Sequence, residues 1–313
     1  MALRVAEEGL SSCSGCEVAI LNLGERLLAL APQLDFVHMP LLMDHKYFGQ
    51  LGDGDLKRLE IPQAELGLVS GGVRNQEHLE VLQAMRANCG TLVALGTCAT
   101  HGGIPALING LANAELMERY YRGCETNDPA PDPTETVPPF LERVYALDEK
   151  VKVDIYLPGC PPHPDHIAEA VLAFLEGREP ALPHKSVCDA CPTVRQGKGQ
   201  LKSVRRFLQN AQYDPAKPIA DMRCLLEQGL LCMGPVTRAG CSGADGEAPR
   251  CLKARVPCRG CYGPVRQNGN QMLDMLNALA SNGIDIKTLP DRAGGLLRFS
   301  GAHGRLRPRP AAK

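Results

Sequence analysis

Three Cys-x-x-Cys pairs punctuate this chain, at Cys13/Cys16, Cys188/Cys191 and Cys258/Cys261. Six further cysteines lie in turns rich in glycine and proline. Cys98 sits in Gly96-Thr97-Cys98, Cys160 in Pro158-Gly159-Cys160-Pro161-Pro162, and Cys224, Cys232, Cys241 and Cys251 follow in one Cys-rich run. Twelve such thiols suffice for three complete sets of four. Thiolates are soft ligands that select iron–sulfur clusters, zinc or copper(I), so the fold must close around inorganic centres rather than around apolar side chains alone. One centre can do chemistry or hold a fold; a series of three suits a wire.

The remaining composition narrows the class. At 313 residues the chain is long enough to bury a core and to hold two domains. Only 4% of it is aromatic and it has no Trp, which leaves no support for base stacking on single-stranded nucleic acid. No run of about twenty apolar residues is present, so no membrane span is expected. The start, Met1-Ala2-Leu3-Arg4-Val5-Ala6-Glu7, lacks the basic and apolar regions of a secretion signal. A cytoplasmic location is therefore expected, where thiols stay reduced and cysteines act as metal ligands rather than disulfides. Charge is unevenly spread. Residues 1–183 carry 13 Lys/Arg against 26 Asp/Glu, and residues 184–313 carry 21 against 9. A basic half can bind nucleic acid. It can equally offset clusters that each carry about −2 with their thiolates, and eight of the twelve candidate ligands fall in this half.

Short apolar runs alternate with helical patterns up to residue 183. Leu34–Met39, Leu66–Ser70, Thr91–Leu95 and Val151–Leu157 read as buried parallel strands, and Cys16–Leu30, Gln76–Ala87 and Pro164–Leu175 as helices. This alternation predicts a doubly wound α/β sheet of flavodoxin-like type, which binds ligands at the carboxyl ends of its strands. Cys98 and Cys160 each follow such a strand end. Asn127–Pro139 reads as a surface insertion. From residue 184 to 313 the chain reads as an irregular, metal-held domain with brief helices at Ser203–Asn210 and Gln271–Ser281.

The first thiol set pairs one close couple with two distant singles. Zinc ribbons instead bring two close pairs together, so a larger core approached from several loops fits better. A helix beginning at Cys16 also favours thiolate and cluster charge through its dipole. An isolated cysteine is more often a small buried hydrophobe, and Cys89 and Cys124, the two left over, are read as core and incidental respectively.

These residues resemble the small subunit of nickel–iron hydrogenases, in the cytoplasmic group that includes methyl-viologen-reducing and sulfhydrogenase-type enzymes. The resemblance rests on Cys13-Ser14-Gly15-Cys16, on Gly96-Thr97-Cys98-Ala99 followed by Gly102-Gly103-Ile104-Pro105, and on Pro158-Gly159-Cys160-Pro161-Pro162. It continues through Cys224-Leu225-Leu226-Glu227-Gln228-Gly229, the run Cys232–Cys241, and Pro257-Cys258-Arg259-Gly260-Cys261-Tyr262-Gly263-Pro264. It implies three [4Fe–4S] clusters: a proximal one on Cys13, Cys16, Cys98 and Cys160, a medial one on Cys241, Cys251, Cys258 and Cys261, and a distal one on Cys188, Cys191, Cys224 and Cys232. Cys188 stands where periplasmic members use His, and Cys251 where they use Pro. Gly15 and Ala106 stand at the positions of the two extra cysteines of oxygen-tolerant members. The resemblance thus implies four-iron clusters throughout and oxygen sensitivity.

It further implies that the nickel–iron site lies in a separate large subunit, that a downstream Fe–S or flavin subunit accepts electrons, and that this chain catalyses nothing alone. No bound flavin is expected, because Cys13-Ser14-Gly15-Cys16 occupies the place of a phosphate loop. Glu17 is a candidate for a proton path, against a dipole role at the helix start. His101 is a candidate donor to cluster sulfide, and His184 at most supports the ligands. His38, His45 and His78 read as surface or packing groups. Three other functions compete: a hydrogen-sensing complex with the same clusters, a zinc-stapled nucleic-acid binder, and the related complex I small subunit. The last resembles only the first domain and holds one cluster.

Overall fold

The computed structural model describes residues 2–48, 59–126, 128–135, 137–197, 201, 203–206, 209, 211–244, 246–289 and 291–308. The chain packs as two compact units, Met1–Pro158 with Gly301–Lys313, and Gly159–Ser300.

The first unit is built on five parallel strands: β1 (Leu3–Gly9), β2 (Leu34–His38), β3 (Ala64–Ser70), β5 (Cys89–Leu95) and β7 (Ile155–Leu157). Their spatial order is β2-β1-β3-β5-β7, which in order of appearance is 2-1-3-4-5, the flavodoxin-like arrangement. A second, two-stranded antiparallel sheet joins β4 (Val73–Asn75) to β6 (Phe140–Tyr145). The central strands carry Val, Leu and Ala on both faces, as strands covered on both sides require. Ala6, Val69, Leu92 and Ala94 are at 0% exposure, and helix α3 (Gln76–Asn88) lays Val81, Leu82 and Met85 into the same core. The helix begins where the Asn75 side chain accepts the His78 N–H at 2.8 Å, satisfying one orphan donor of the first turn.

All four sequence-read strands are present, starting within four residues of the expected points. β1 was not among them. Its stretch Leu3-Arg4-Val5-Ala6-Glu7-Glu8-Gly9 breaks an apolar run with two acids, yet Glu7 and Glu8 are 0% and 2% exposed. The helix expected over Cys16–Leu30 is two helices, α1 (Gly15–Leu21) and α2 (Glu25–Leu30), parted at Gly24 with φ 58°.

The second unit contains helix α6 (Pro164–Leu175) and then little regular structure. Its core gathers Val187, Met222, Leu225, Leu230, Met275 and Leu279 together with Cys232 and Cys258. Helix α8 (Gln271–Ala280) supplies Met275 and Leu279, and its first side chain ties loops together: Gln271 Nε2 donates to Thr237 Oγ1 at 3.1 Å and Gly260 O at 3.2 Å. In the expected Ser203–Asn210 helix, residues 207, 208 and 210 lie outside the described residues, and Arg205 forms an isolated bridge to Leu230 instead.

The units divide at Pro158 and Gly301 rather than at the sequence-read boundary after residue 183. Helix α6 belongs with the Cys-rich segment because His166 Nε2 bonds Gly240 O at 3.0 Å and the His163 N–H donates to Tyr262 Oη at 2.8 Å. The segment after Gly301 belongs with the sheet: Ala302 N–H donates to His101 O at 3.1 Å, and the His303 ring reaches Asp148 at 2.8 Å.

Gly67 on β3 has no room for a side chain, since a Cβ would lie 2.6 Å from Cys89 Sγ and 2.9 Å from Cys89 Cβ. Gly67→Ala is expected to lower stability by about 1–3 kcal/mol. Adding Cys89→Ala should recover part of that loss, because the nearest clashing atom is removed. Thermal melting of the two single variants and the double variant checks this.

Candidate metal centres

Three of the four cysteines assigned to the proximal set fall in the first unit, and the fold explains their placement. β1, β3 and β5 are parallel, so the segments leaving them emerge from one edge of the sheet. After β1 the chain is stitched to the end of β3. Leu10 N–H donates to Ser70 O at 3.0 Å, while Ser11 and Gly72 exchange backbone bonds of 3.1 and 3.2 Å. Gly71 turns there at φ 80°, and a Cβ on it would strike Ser11 N at 2.8 Å. Cys13 follows two residues later, and Cys16 sits in the first turn of α1. Cys16 Sγ reaches Leu95 O, the last residue of β5, at 3.7 Å. Cys98 lies just beyond, in helix α4 (Gly96–His101). Gly103, at φ 54°, lets the chain fold back so closely that a Cβ would lie 2.5 Å from Cys98 Sγ.

Cys160 falls in the second unit. There it lines a cavity of about 150 Å³ together with Cys241, Cys251, Cys258 and Cys261. Its backbone N–H is aimed at the Cys261 sulfur. Cys261 is pushed up to about 12, first by burial and then by the charges of Cys241 and Cys251. Burial, followed by the Cys232 charge, pushes Cys258 well up, with Cys261 and Cys251 contributing. A second group is Cys188, Cys191, Cys224 and Cys232: burial, followed by the Cys232 charge, pushes Cys188 up to about 12, with Cys191 and Cys224 contributing. Cys232 is likewise raised to about 12, by burial first, and is opposed by N–H groups of Gly234 and Cys258. The two groups touch through one bond, from Cys258 N–H to Cys232 Sγ at 3.3 Å.

Cys160, Cys241, Cys251, Cys258 and Cys261 thus line one cavity, while Cys232, Cys191 and Cys224 act on Cys188. Among the described residues no three His, Cys, Asp or Glu side chains converge as on a single metal ion. A lone zinc would draw four sulfurs to about 2.3 Å of one point, whereas a four-iron core takes one sulfur at each corner. Gly234 gives the backbone the close approach such a core needs, for a Cβ there would lie 3.1 Å from Cys188 Sγ and 3.6 Å from Cys232 Sγ. Thiolate donors with backbone so close to their sulfurs fit an iron–sulfur cluster. A positive core reverses the thiol pKa shifts, because coordinated thiols are deprotonated outright.

The other candidates take ordinary places. Cys89 is 4% exposed at the start of β5, and Cys124 Sγ lies 3.1 Å from Thr126 Oγ1 in a turn. His101 Nδ1 bonds Thr100 Oγ1 at 2.7 Å, and its ring stands edge-on to His303. His184 Nδ1 lies 3.4 Å from Arg238. His38 is fully buried, with Nε2 3.2 Å from Glu8 Oε2.

Glu17 is 0% exposed, and Ser70 Oγ donates to its Oε1. Beside it lies Glu7, which the sequence reading missed. Burial first, then the Glu17 charge and a carboxyl–carboxylate hydrogen bond with Glu17, push Glu7 up to about 9. The one available signal was the Glu7-Glu8 doublet between Ala6 and Leu10.

The profile of the family described as NADH ubiquinone oxidoreductase, 20 Kd subunit, matches residues 13–174. Over 301 residues the chain is 36% identical to a subunit of the F420-non-reducing hydrogenase vhu of Methanocaldococcus jannaschii, covering 96% of this chain and 95% of that protein. It is 32% identical to the NAD-reducing hydrogenase HoxS subunit delta of Cupriavidus necator over 58% of this chain and 82% of the other. A solved NAD+-reducing [NiFe]-hydrogenase in the H2-reduced state superposes with TM-score 0.51 and 34% identity, over 58% of this chain and 96% of that one. The chain belongs to this family, as a small, iron–sulfur subunit of the nickel–iron hydrogenase group. It is thus a component of an oxidoreductase complex. Among the described residues no helix is long and apolar enough to cross a membrane.

A carboxyl raised from 4.5 to about 9 holds its proton more tightly folded than unfolded. The folded state therefore binds more protons between those values, and stability falls as pH rises through that window. Glu7→Gln is expected to remove this fall and to stabilise the protein at pH 8 by about 2 kcal/mol. Melting temperatures of both forms at pH 5 and pH 8 check it.

Proposed function

We propose that this chain is the electron-relay subunit of a cytoplasmic nickel–iron hydrogenase. Cys13, Cys16, Cys98 and Cys160 would hold a proximal [4Fe–4S] cluster. Cys241, Cys251, Cys258 and Cys261 would hold a medial one, and Cys188, Cys191, Cys224 and Cys232 a distal one. The subunit would pass electrons between the nickel–iron site of a separate large subunit and an Fe–S or flavin acceptor subunit. The observation that supports this reading is the gathering of Cys241, Cys251, Cys258 and Cys261 about one cavity with Cys160, beside a second group, Cys191, Cys224 and Cys232, whose charges act on Cys188.

Each cluster, when bound, supplies a reversible one-electron couple whose potential follows charge, hydrogen bonds to sulfur and exposure. The chain's own contribution is to fix those terms. Cys258 N–H and Gly234 N–H point at Cys232, and Cys160 N–H points at Cys261. Such donors favour the more negative, reduced state and so raise the potential. In the first unit, the Ser11–Gly72 bridge and the Gly103 turn hold Cys13 and Cys98 on backbone rather than on mobile side chains. The buried Glu7–Glu17 couple, a few residues from Cys13 and Cys16, offers a site where a proton can be held without water. This keeps Glu17 as a candidate proton carrier.

Metal and sulfide analysis of the purified complex tests the reading. About twelve iron and about twelve acid-labile sulfide per copy of this chain are expected from three four-iron clusters, on top of the iron and sulfide of the large and acceptor subunits. About two zinc with no sulfide would sink it. Cys232→Ser is expected to lower the iron count by about four through loss of one cluster and to stop hydrogen-dependent reduction of the acceptor subunit.

A further inference from the structure

One surface depression in the second unit gathers three arginines. Arg206, Arg259 and Arg298 line it, and its floor includes Leu231, Met233 and Cys258. Leu231 and Met233 flank Cys232, and the Cys258 N–H bonds the Cys232 sulfur at 3.3 Å. Both thiol groups of this unit therefore meet beneath one spot on its surface.

Among the described side chains there, positive charge is in excess. Asp291 pairs with Arg206 at 3.2 Å, leaving three guanidinium groups against one carboxylate that is itself 55% exposed. Burial, and then the positive charges of Arg206 and Arg259, hold the Arg298 guanidinium below its usual range. Guanidinium does not give up its proton in proteins, so the repulsion stays until an anion enters. The depression lies at the surface, where the carboxylate of a side chain on an apposed protein can reach the guanidinium groups. Arg favours carboxylate through its planar fork of donors.

We infer that Arg206, Arg259 and Arg298 form the docking surface for an acidic electron-carrier protein, whose carboxylates enter this depression above Cys258. The inference rests on the relay reading, since a docking site for a carrier has meaning only if electrons leave through this unit. Redox partners of this kind meet over small interfaces and are guided by charge rather than by large apolar contacts.

The test uses the assembled complex of this chain with its large subunit, unsubstituted and as Arg206→Glu/Arg298→Glu. Hydrogen-dependent reduction of methyl viologen, which needs no docking, is compared with reduction of a purified acidic ferredoxin. The charge reversal is expected to raise KM for ferredoxin about tenfold at low salt, with viologen reduction unchanged. The difference should close as salt rises from about 50 to about 500 mM and screening shortens the reach of the charges. An unchanged ferredoxin KM with intact viologen reduction overturns the docking and leaves the relay standing. A shifted cluster potential with no change in KM also overturns it, assigning the arginines to internal charge balance. An unsubstituted complex that reduces neither acceptor overturns the relay and the docking with it. Should the reversal itself impair viologen reduction, Arg206→Gln/Arg298→Gln decides. An increase in ferredoxin KM of about threefold supports the docking, and none rejects it.

Discussion

Thiols held away from solvent stay neutral unless something cationic stands among them. Cys188, Cys232 and Cys261 are all pushed to about 12 by burial, so without metal they are neutral, weakly bonded groups in a unit with few helices. With metal the same burial becomes an advantage, because the low dielectric strengthens attraction between core and thiolate. The apolar cluster of this unit includes Cys232 and Cys258 as members and packs Cys191 and Cys251 against it. Its hydrophobic packing and its ligand sets are therefore one construction, and loading should be inseparable from folding.

The first unit depends on metal much less. Its sheet, its core and the stitched turn at Ser11 and Gly72 stand on backbone bonds and apolar burial. This contrast explains what the sequence made legible. Strands at Leu34, Ala64, Cys89 and Ile155 are apolar runs bounded by turn residues, and periodicity alone finds them. Helices α3, α6 and α8 likewise show their buried faces and their caps. The cysteine sets were legible by spacing and by resemblance, since their chemistry admits few substitutes.

What stayed hidden was hidden for physical reasons. β1 is a central strand carrying two buried acids, and any reading that equates burial with apolarity passes over it. Glu8 is tolerable there because His38 and Tyr47 bond to it, partners that arrive from thirty or more residues away. Glu7 lies instead against the Glu17 carboxyl and stays neutral. The arginine depression was equally invisible, because Arg206, Arg259 and Arg298 are spread over ninety-odd residues and read singly as solvated charges. The break at Gly24 and the boundary at Pro158 depend on local backbone angles and on contacts between distant segments. Periodicity carries neither.

The backbone bond from Ala302 to His101 and the clasp of His303 on Asp148 give the chain an unusual topology. The first unit is begun, interrupted by the whole of Gly159–Ser300, and resumed. Its five-stranded sheet is complete on the ribosome while the segment that packs against α4 is still unmade. During synthesis the bond that ties Ala302 to His101, three residues past Cys98, can form only after every cysteine of the chain has been made.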